Sequence, residues 1–237
     1  MEPFFAARDI EAAYGRLQVL WGVDLELGQG EVAVLLGSNG AGKTTLLKAL
    51  MGLRPLLKGE IVLAGRRMER LRPDLRVQRG IHYMTELGVF PNLSIDENLQ
   101  VGGFGLGHGE LRRRIKELYE TFPDLGRLHA ASAASLSGGQ RKMLAVAKAI
   151  VVPPRLLLMD EPSAGLSPRF VGEVVAVLRR LRENGPTMLI AEQNVKFLEI
   201  ADRAYVLDGG RISFVGSVEE LEADDAVRQA YFGIGGH

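Results

Sequence analysis

One short run of residues carries the sharpest chemical signal in the chain: Gly37-Ser38-Asn39-Gly40-Ala41-Gly42-Lys43-Thr44-Thr45. Two glycines enclose four residues and are followed at once by Lys and Thr, the pattern of a phosphate-binding loop. Glycines at these positions let the backbone curl with its N–H groups pointing inward, where they can cradle a polyphosphate. Lys43 would bridge the β- and γ-phosphates, the Thr44 hydroxyl would ligate Mg2+, and Thr45 offers a further phosphate donor. The plain alternative is a glycine-rich turn with a chance Lys-Thr, expected in roughly one chain in a hundred of this length. Two carboxylates form a second constellation, at the end of Arg155-Leu-Leu-Leu-Met-Asp160-Glu161-Pro162. Asp160 is placed to hold a Mg2+ shell, and Glu161 can orient and deprotonate an attacking water.

A third stretch, Leu136-Ser137-Gly138-Gly139-Gln140, opens a helix. Ser137 and Gln140 have capping-box spacing. Two glycines and a serine at a helix N-terminus also make an anion site with no lysine of its own. Capping alone does not account for both glycines. Tyr14, in Ala-Ala-Tyr-Gly ahead of the loop, either stacks on an adenine or is half-buried packing.

These residues need rigid elements to hold them. Glu31–Leu36 reads as a strand entering the phosphate loop, and Lys43–Met51 as a helix leaving it and ending at Gly52. Residues 155–160 read as a buried parallel strand, and ligands in such sheets bind at the carboxyl ends of strands. Ser167-Pro168 supplies the next helix with its own cap, so the two acids are not required as one. Residues 4–36 alternate apolar runs and turns as a small antiparallel sheet would. Gly59–Gly65 reads as a strand turning on itself, 73–79 as a short helix and 81–84 as a strand. From Phe90 to about Val151 the pattern turns helical. Ser94 and Glu97 form a capping box, and 110–122 is amphipathic until Pro123 stops it. Residues 187–191 are another buried strand, 203–208 and 211–215 a hairpin over Gly209-Gly210, and helices follow at about 218–222 and 226–232.

The whole chain has 237 residues, 46% apolar and 24% charged, within reach of one domain with an insertion. Lys+Arg and Asp+Glu both number 29, so bulk electrostatic attachment to nucleic acid or anionic lipid is not expected. Cysteine is absent, no apolar run is long enough to span a membrane, and the N-terminus lacks signal-peptide features.

Taken in order and with their spacing, these motifs resemble those of the ATP-binding cassette subunits of membrane transporters, over essentially the whole chain. Gly37–Thr45 is similar to the Walker A loop and Leu136–Gln140 to the signature LSGGQ. Leu156–Asp160 with Glu161 resembles Walker B plus the catalytic glutamate, and Ser163–Ser167 the D-loop. The segments 97–104, 154–163, 192–194 and 226–233 resemble one ATPase subunit of branched-chain amino-acid importers. The lipopolysaccharide-export ATPase, with a similar tail, is the competing resemblance.

The resemblance implies an α/β fold: a P-loop NTPase core with a mostly parallel sheet, an N-terminal antiparallel β subdomain and an inserted α-helical subdomain. It implies one nucleotide-binding domain, with about 1–89 and 152–237 as the ATP-binding core and about 90–151 as the helical signature subdomain. It also implies ATP and Mg2+ as cofactors, and a head-to-tail dimer with a like or unlike ATPase subunit. Ser137 and Gly139 of one subunit would then face the γ-phosphate held by Lys43 of the other. Membrane-embedded permeases and, indirectly, a substrate-binding protein would be partners, at the cytoplasmic face of the inner membrane.

Two positions depart from the family pattern. Thr85, beside Glu86, stands where a Mg2+-reaching Gln is usual; its side chain is shorter, so either Glu86 substitutes or the contact runs through water. Gln193 replaces the usual switch histidine; its amide can donate to the γ-phosphate but cannot exchange a proton at neutral pH. A soluble assembly-scaffold ATPase for iron–sulfur clusters stands as the alternative class; a DNA-repair type lacks its long coiled coil here, a translation type its second cassette, and a P-loop kinase has no use for 136–140.

Overall fold

A computed structural model of the chain describes residues 2–85, 88–183 and 185–224. Two sheets enclose the helix that leaves the phosphate loop. The antiparallel sheet has the order β2-β1-β4-β5, from β1 (Phe5–Tyr14), β2 (Leu17–Leu27), β4 (Lys58–Leu63) and β5 (Arg66–Arg67). The larger sheet has the order β10-β9-β3-β8-β7-β6. Its members are β3 (Val32–Leu36), β6 (Ile81–Met84), β7 (Leu156–Asp160), β8 (Thr187–Glu192), β9 (Arg203–Asp208) and β10 (Arg211–Gly216). All its pairings are parallel except that of the edge strand β10 with β9.

The expected antiparallel unit over 4–36 is thus corrected at its last strand. β3 leaves that sheet and pairs in parallel with β8 and β9. Its five residues are buried and apolar throughout, and such a strand needs cover on both faces. Alternation divides the cover. Leu35, Leu158 and Leu189 pack toward α1 (Lys43–Met51) and the antiparallel sheet, with Leu46, Leu47, Phe5 and Ile61. Val34, Met159 and Ile190 face the other way, into a cluster with helical residues.

That second cluster draws on α3 (Ile95–Gly102), α4 (His108–Thr121), α5 (Pro123–Arg127) and α6 (Gly138–Ala149), all between β6 and β7 in the chain, and on α7 (Pro168–Glu183). The Ser94 and Ser137 capping boxes are both formed. Pro123 ends α4 as expected and also starts α5, because its fixed φ suits a first helical position. α8 (Val218–Ala223) follows the hairpin; the helix expected near 226–232 lies outside the described residues.

α2 (Pro73–Gln78) contributes a buried guanidinium that no ion pair accompanies among the described residues. Arg76, 2% exposed, donates to the carbonyls of Ala49 and Leu50 at the end of α1, at 3.0 and 2.6 Å. It also donates to Leu71 O and Glu69 O, at 3.0 and 2.9 Å. It therefore caps the C-terminus of the phosphate-loop helix, giving Leu50 O a donor and adding a second to Ala49 O, which also accepts from Gly52 N at 3.0 Å. Arg76→Met, which keeps much of the bulk and removes the donors, is expected to cost about 3 kcal/mol, lowering Tm by roughly 6–12 °C. Thermal and urea denaturation check this; an unchanged midpoint would refute the capping role.

Candidate nucleotide site

At the carboxyl edge of the parallel sheet, β3 runs into the glycine loop and the loop into α1. Gly42 stands at the N-cap with φ 111°, a backbone conformation that side chains disfavour. Inside the loop the Lys43 ammonium is only 4% exposed. It donates to Gly37 O at 2.7 Å and Ser38 O at 3.1 Å, and pairs with Glu161 Oε1 at 3.2 Å. Asn39, Gly40, Gly42, Lys43, Thr44, Thr45, Val19 and Glu161 line one cavity of about 440 Å3.

β7 delivers the two carboxylates to this edge because it lies beside β8, itself beside β3. The Thr44 hydroxyl donates to Asp160 Oδ1 at 2.9 Å. A hydroxyl and a carboxylate that close form a hard oxygen pair of the kind Mg2+ takes from protein while phosphates and water complete its shell. Among the described residues, no group of three or more His, Cys, Asp and Glu offers a protein-only cage. Glu161 adopts φ 46°, left-handed for a non-glycine residue, and this turns its side chain toward Lys43. Its N–H donates to Ala191 O at 2.9 Å, and its carbonyl accepts from Lys142 Nζ at 3.0 Å. The Gln193 amide joins the group, donating to Asn39 Oδ1 at 2.5 Å and Glu161 Oε1 at 3.3 Å.

One expected member is placed differently. Thr85 accepts from Gly88 N at 3.0 Å within its own turn. The residue that reaches Asp160 from that strand is Tyr83, whose hydroxyl donates to Oδ2 at 2.8 Å. Burial, with the Asp160 charge behind it, holds the Tyr83 phenol far above its ordinary value, so it stays a donor. Nothing in the sequence marks Tyr83, because the adjacency of β6 and β7 is a tertiary fact. Tyr14 is 41% exposed with the Arg54 guanidinium 3.7 Å from its ring centroid. Its phenol is held below its ordinary value, first by its hydrogen bond with Thr45 and then by Lys48 and Arg54. Packing thus engages the ring while leaving part of it open.

Ser137, Gly139 and Gln140 line a separate cavity, with Phe122, Met143 and Phe170, that shares no residue with the loop cavity. Ser137 Oγ accepts from Gln140 N at 3.2 Å, and Gln140 Oε1 from Ser137 N at 3.0 Å. The two glycines differ. A Cβ on Gly139 would lie 2.2 Å from the Phe170 ring, so the close approach of α6 and α7 demands glycine there. A Cβ on Gly138 would meet only Leu166, at 3.8 Å.

A glycine loop between a parallel strand and a helix, with two carboxylates on a neighbouring strand end, defines the P-loop nucleoside-triphosphatase class. The sequence profile of the ABC transporter family matches residues 20–164. The chain is 36% identical over 228 residues to the probable branched-chain amino acid transport ATP-binding protein LivF of Archaeoglobus fulgidus, covering 95% of this chain and 97% of that one. It is 36% identical over 226 residues to the high-affinity branched-chain amino acid transport ATP-binding protein BraG of Pseudomonas aeruginosa, covering 94% and 97%. The lipopolysaccharide export system ATP-binding protein LptB of Haemophilus influenzae is 33% identical over 232 residues, covering 96% of each. The crystal structure of the ADP conformation of an ATP-binding cassette of an ABC transporter superposes with TM-score 0.86 at 25% identity, covering 98% of this chain and 100% of that one. The chain belongs to the ABC transporter family, as one of its ATP-binding ATPase subunits. Among the described residues, no helix is long and apolar enough to cross a membrane.

The contrast between the two glycines is testable. Gly139→Ala should destabilise the protein by about 1–3 kcal/mol. Gly138→Ala should leave stability within about 0.5 kcal/mol, or improve it through helix propensity, while still impairing hydrolysis. Paired denaturation and turnover measurements check both; equal stability losses would refute the packing account.

Proposed function

We propose that the chain powers an importer of branched-chain or other hydrophobic amino acids by hydrolysing MgATP. The observation that carries the hydrolytic assignment is the convergence of Lys43, Thr44, Asp160 and Glu161 at one sheet edge. Gly37–Thr45 would cradle the phosphates, with Lys43 exchanging its loop carbonyls for β- and γ-phosphate oxygens. Tyr14 would offer the open part of its ring to the adenine. Thr44 and Asp160 would hold Mg2+, whose charge would offset that of the phosphates. Glu161 would accept a proton from the attacking water, and the Gln193 amide would donate to the γ-phosphate.

The separate cavity at Ser137–Gln140 supports a two-subunit site. An anion-binding helix N-terminus without a lysine, and a loop without a donor on its open side, complete one another only across a head-to-tail dimer. Gly138, sterically free within its own chain, would then give the γ-phosphate close access. Residues 90–151 act as the helical unit that passes movement from the 1–89 and 152–237 core to membrane-embedded permeases. The amino-acid substrate class rests on the LivF and BraG relatives; the LptB relatives keep lipopolysaccharide export as a second reading.

Glu161→Gln should lower turnover by at least about 100-fold while nucleotide affinity stays within a few-fold. Unchanged turnover would remove the general-base assignment. Isolation at native level from gently solubilised membranes, followed by mass spectrometry, tests the transport assignment. Two polytopic permeases and a second cassette ATPase are the expected companions; scaffold proteins in the soluble fraction would overturn transport and leave the chemistry standing.

A further inference from the structure

The last residue of β8 is a third carboxylate at the same sheet edge. Glu192 is 2% exposed, and no lysine, arginine or histidine pairs with it among the described residues. Its oxygens are nonetheless fully used. Oε1 accepts from Ser163 N at 2.7 Å, and Oε2 from Ser163 Oγ at 2.8 Å, Gln193 N at 3.1 Å and Asn194 N at 3.3 Å. A carboxylate costs much to bury, and a strand end has no need of one. What distinguishes Glu192 is the pair of segments it joins. Ser163 lies two residues after Glu161, in the turn closed by Ala164 N on Glu161 O at 3.1 Å. Gln193 is its direct neighbour, with a side chain 3.3 Å from Glu161 Oε1.

We infer that Glu192 is a positioning residue, which sets the Glu161 turn and the Gln193 loop at a fixed separation around the reacting phosphate. The inference rests on the roles proposed above for Glu161 and Gln193. Glu161 sits in a left-handed conformation that its own residue type does not favour, so outside contacts must hold it. Lys142 and Ala191 grip its own peptide groups, and Glu192 grips the turn that follows. A carboxylate suits the task because it only accepts, and every group facing it donates. An amide of the same shape would set an NH2 group against at least one N–H or O–H.

The test is Glu192→Gln, measured on the chain with its co-purifying membrane partners. kcat should fall about tenfold or more, with KM and equilibrium ATP affinity within about threefold, because small misplacements of a catalytic group act on turnover. Ser163→Ala, which removes one of the four bonds and preserves the backbone ones, should lower kcat by a smaller factor with KM unmoved. In a Glu161→Gln background, Glu192→Gln should cause no further loss. A kcat within twofold of the parent, or equal proportional losses in kcat and ATP affinity, would overturn the inference. So would additive losses in the double variant. If Glu192→Gln does not fold, an unchanged kcat in Ser163→Ala overturns it. Full turnover in Glu161→Gln alone would instead defeat the underlying functional reading, whatever Glu192 does.

Discussion

A buried lysine ammonium is the constraint on which the rest of the site depends. Lys43 is 4% exposed, and a cation so placed requires oxygen on every open side. The loop supplies Gly37 O and Ser38 O only because it curls back over the start of α1, and Glu161 supplies the third partner from another strand. The loop must therefore meet β7 at one edge, and the parallel order β3-β8-β7 brings that about. Nucleotide phosphates present the same kind of ligand with more charge, so the arrangement that satisfies the lysine also prepares it to exchange partners.

Carboxylates then crowd that edge, and their neighbours distinguish them. Asp160 takes two hydroxyl donors, from Thr44 and Tyr83. Glu161 faces a lysine and an amide and stays partly open. Glu192 is closed off, answered entirely by backbone and serine donors; burial still raises its pKa against their opposing effect. Near-identical side chains thus meet three different environments: two hydroxyls, a lysine with an amide, and a closed set of backbone and serine donors.

The helices between β6 and β7 share one apolar cluster with the face of the parallel sheet that α1 does not cover. α6 is the main link, because its N-terminus carries Ser137 and Gly138 while its Lys142 reaches the Glu161 carbonyl. One helix thereby connects the Ser137–Gln140 cavity with the loop cavity. Contact made at its first turn has a short path of packed and hydrogen-bonded atoms to Glu161.

Much of this was legible in the sequence, wherever a property is local. The Gly37–Thr45 loop, its flanking strand and helix, the caps at Ser94 and Ser137 and the Gly209-Gly210 hairpin follow from backbone sterics and short-range hydrogen bonding. Those forces act within a few residues. Adjacent acids at the end of an apolar strand announce themselves for the same reason. The tertiary structure alone decided what meets across the sheet: Tyr83 on Asp160, where Thr85 was expected to serve; Glu192 on Ser163; Arg76 on the end of α1; Phe170 against Gly139. Strand β3 also left the antiparallel sheet suggested by its position in the chain. These contacts depend on strand order and helix packing, where residues far apart in sequence compete for the same buried space, and no local pattern records which of them is adjacent.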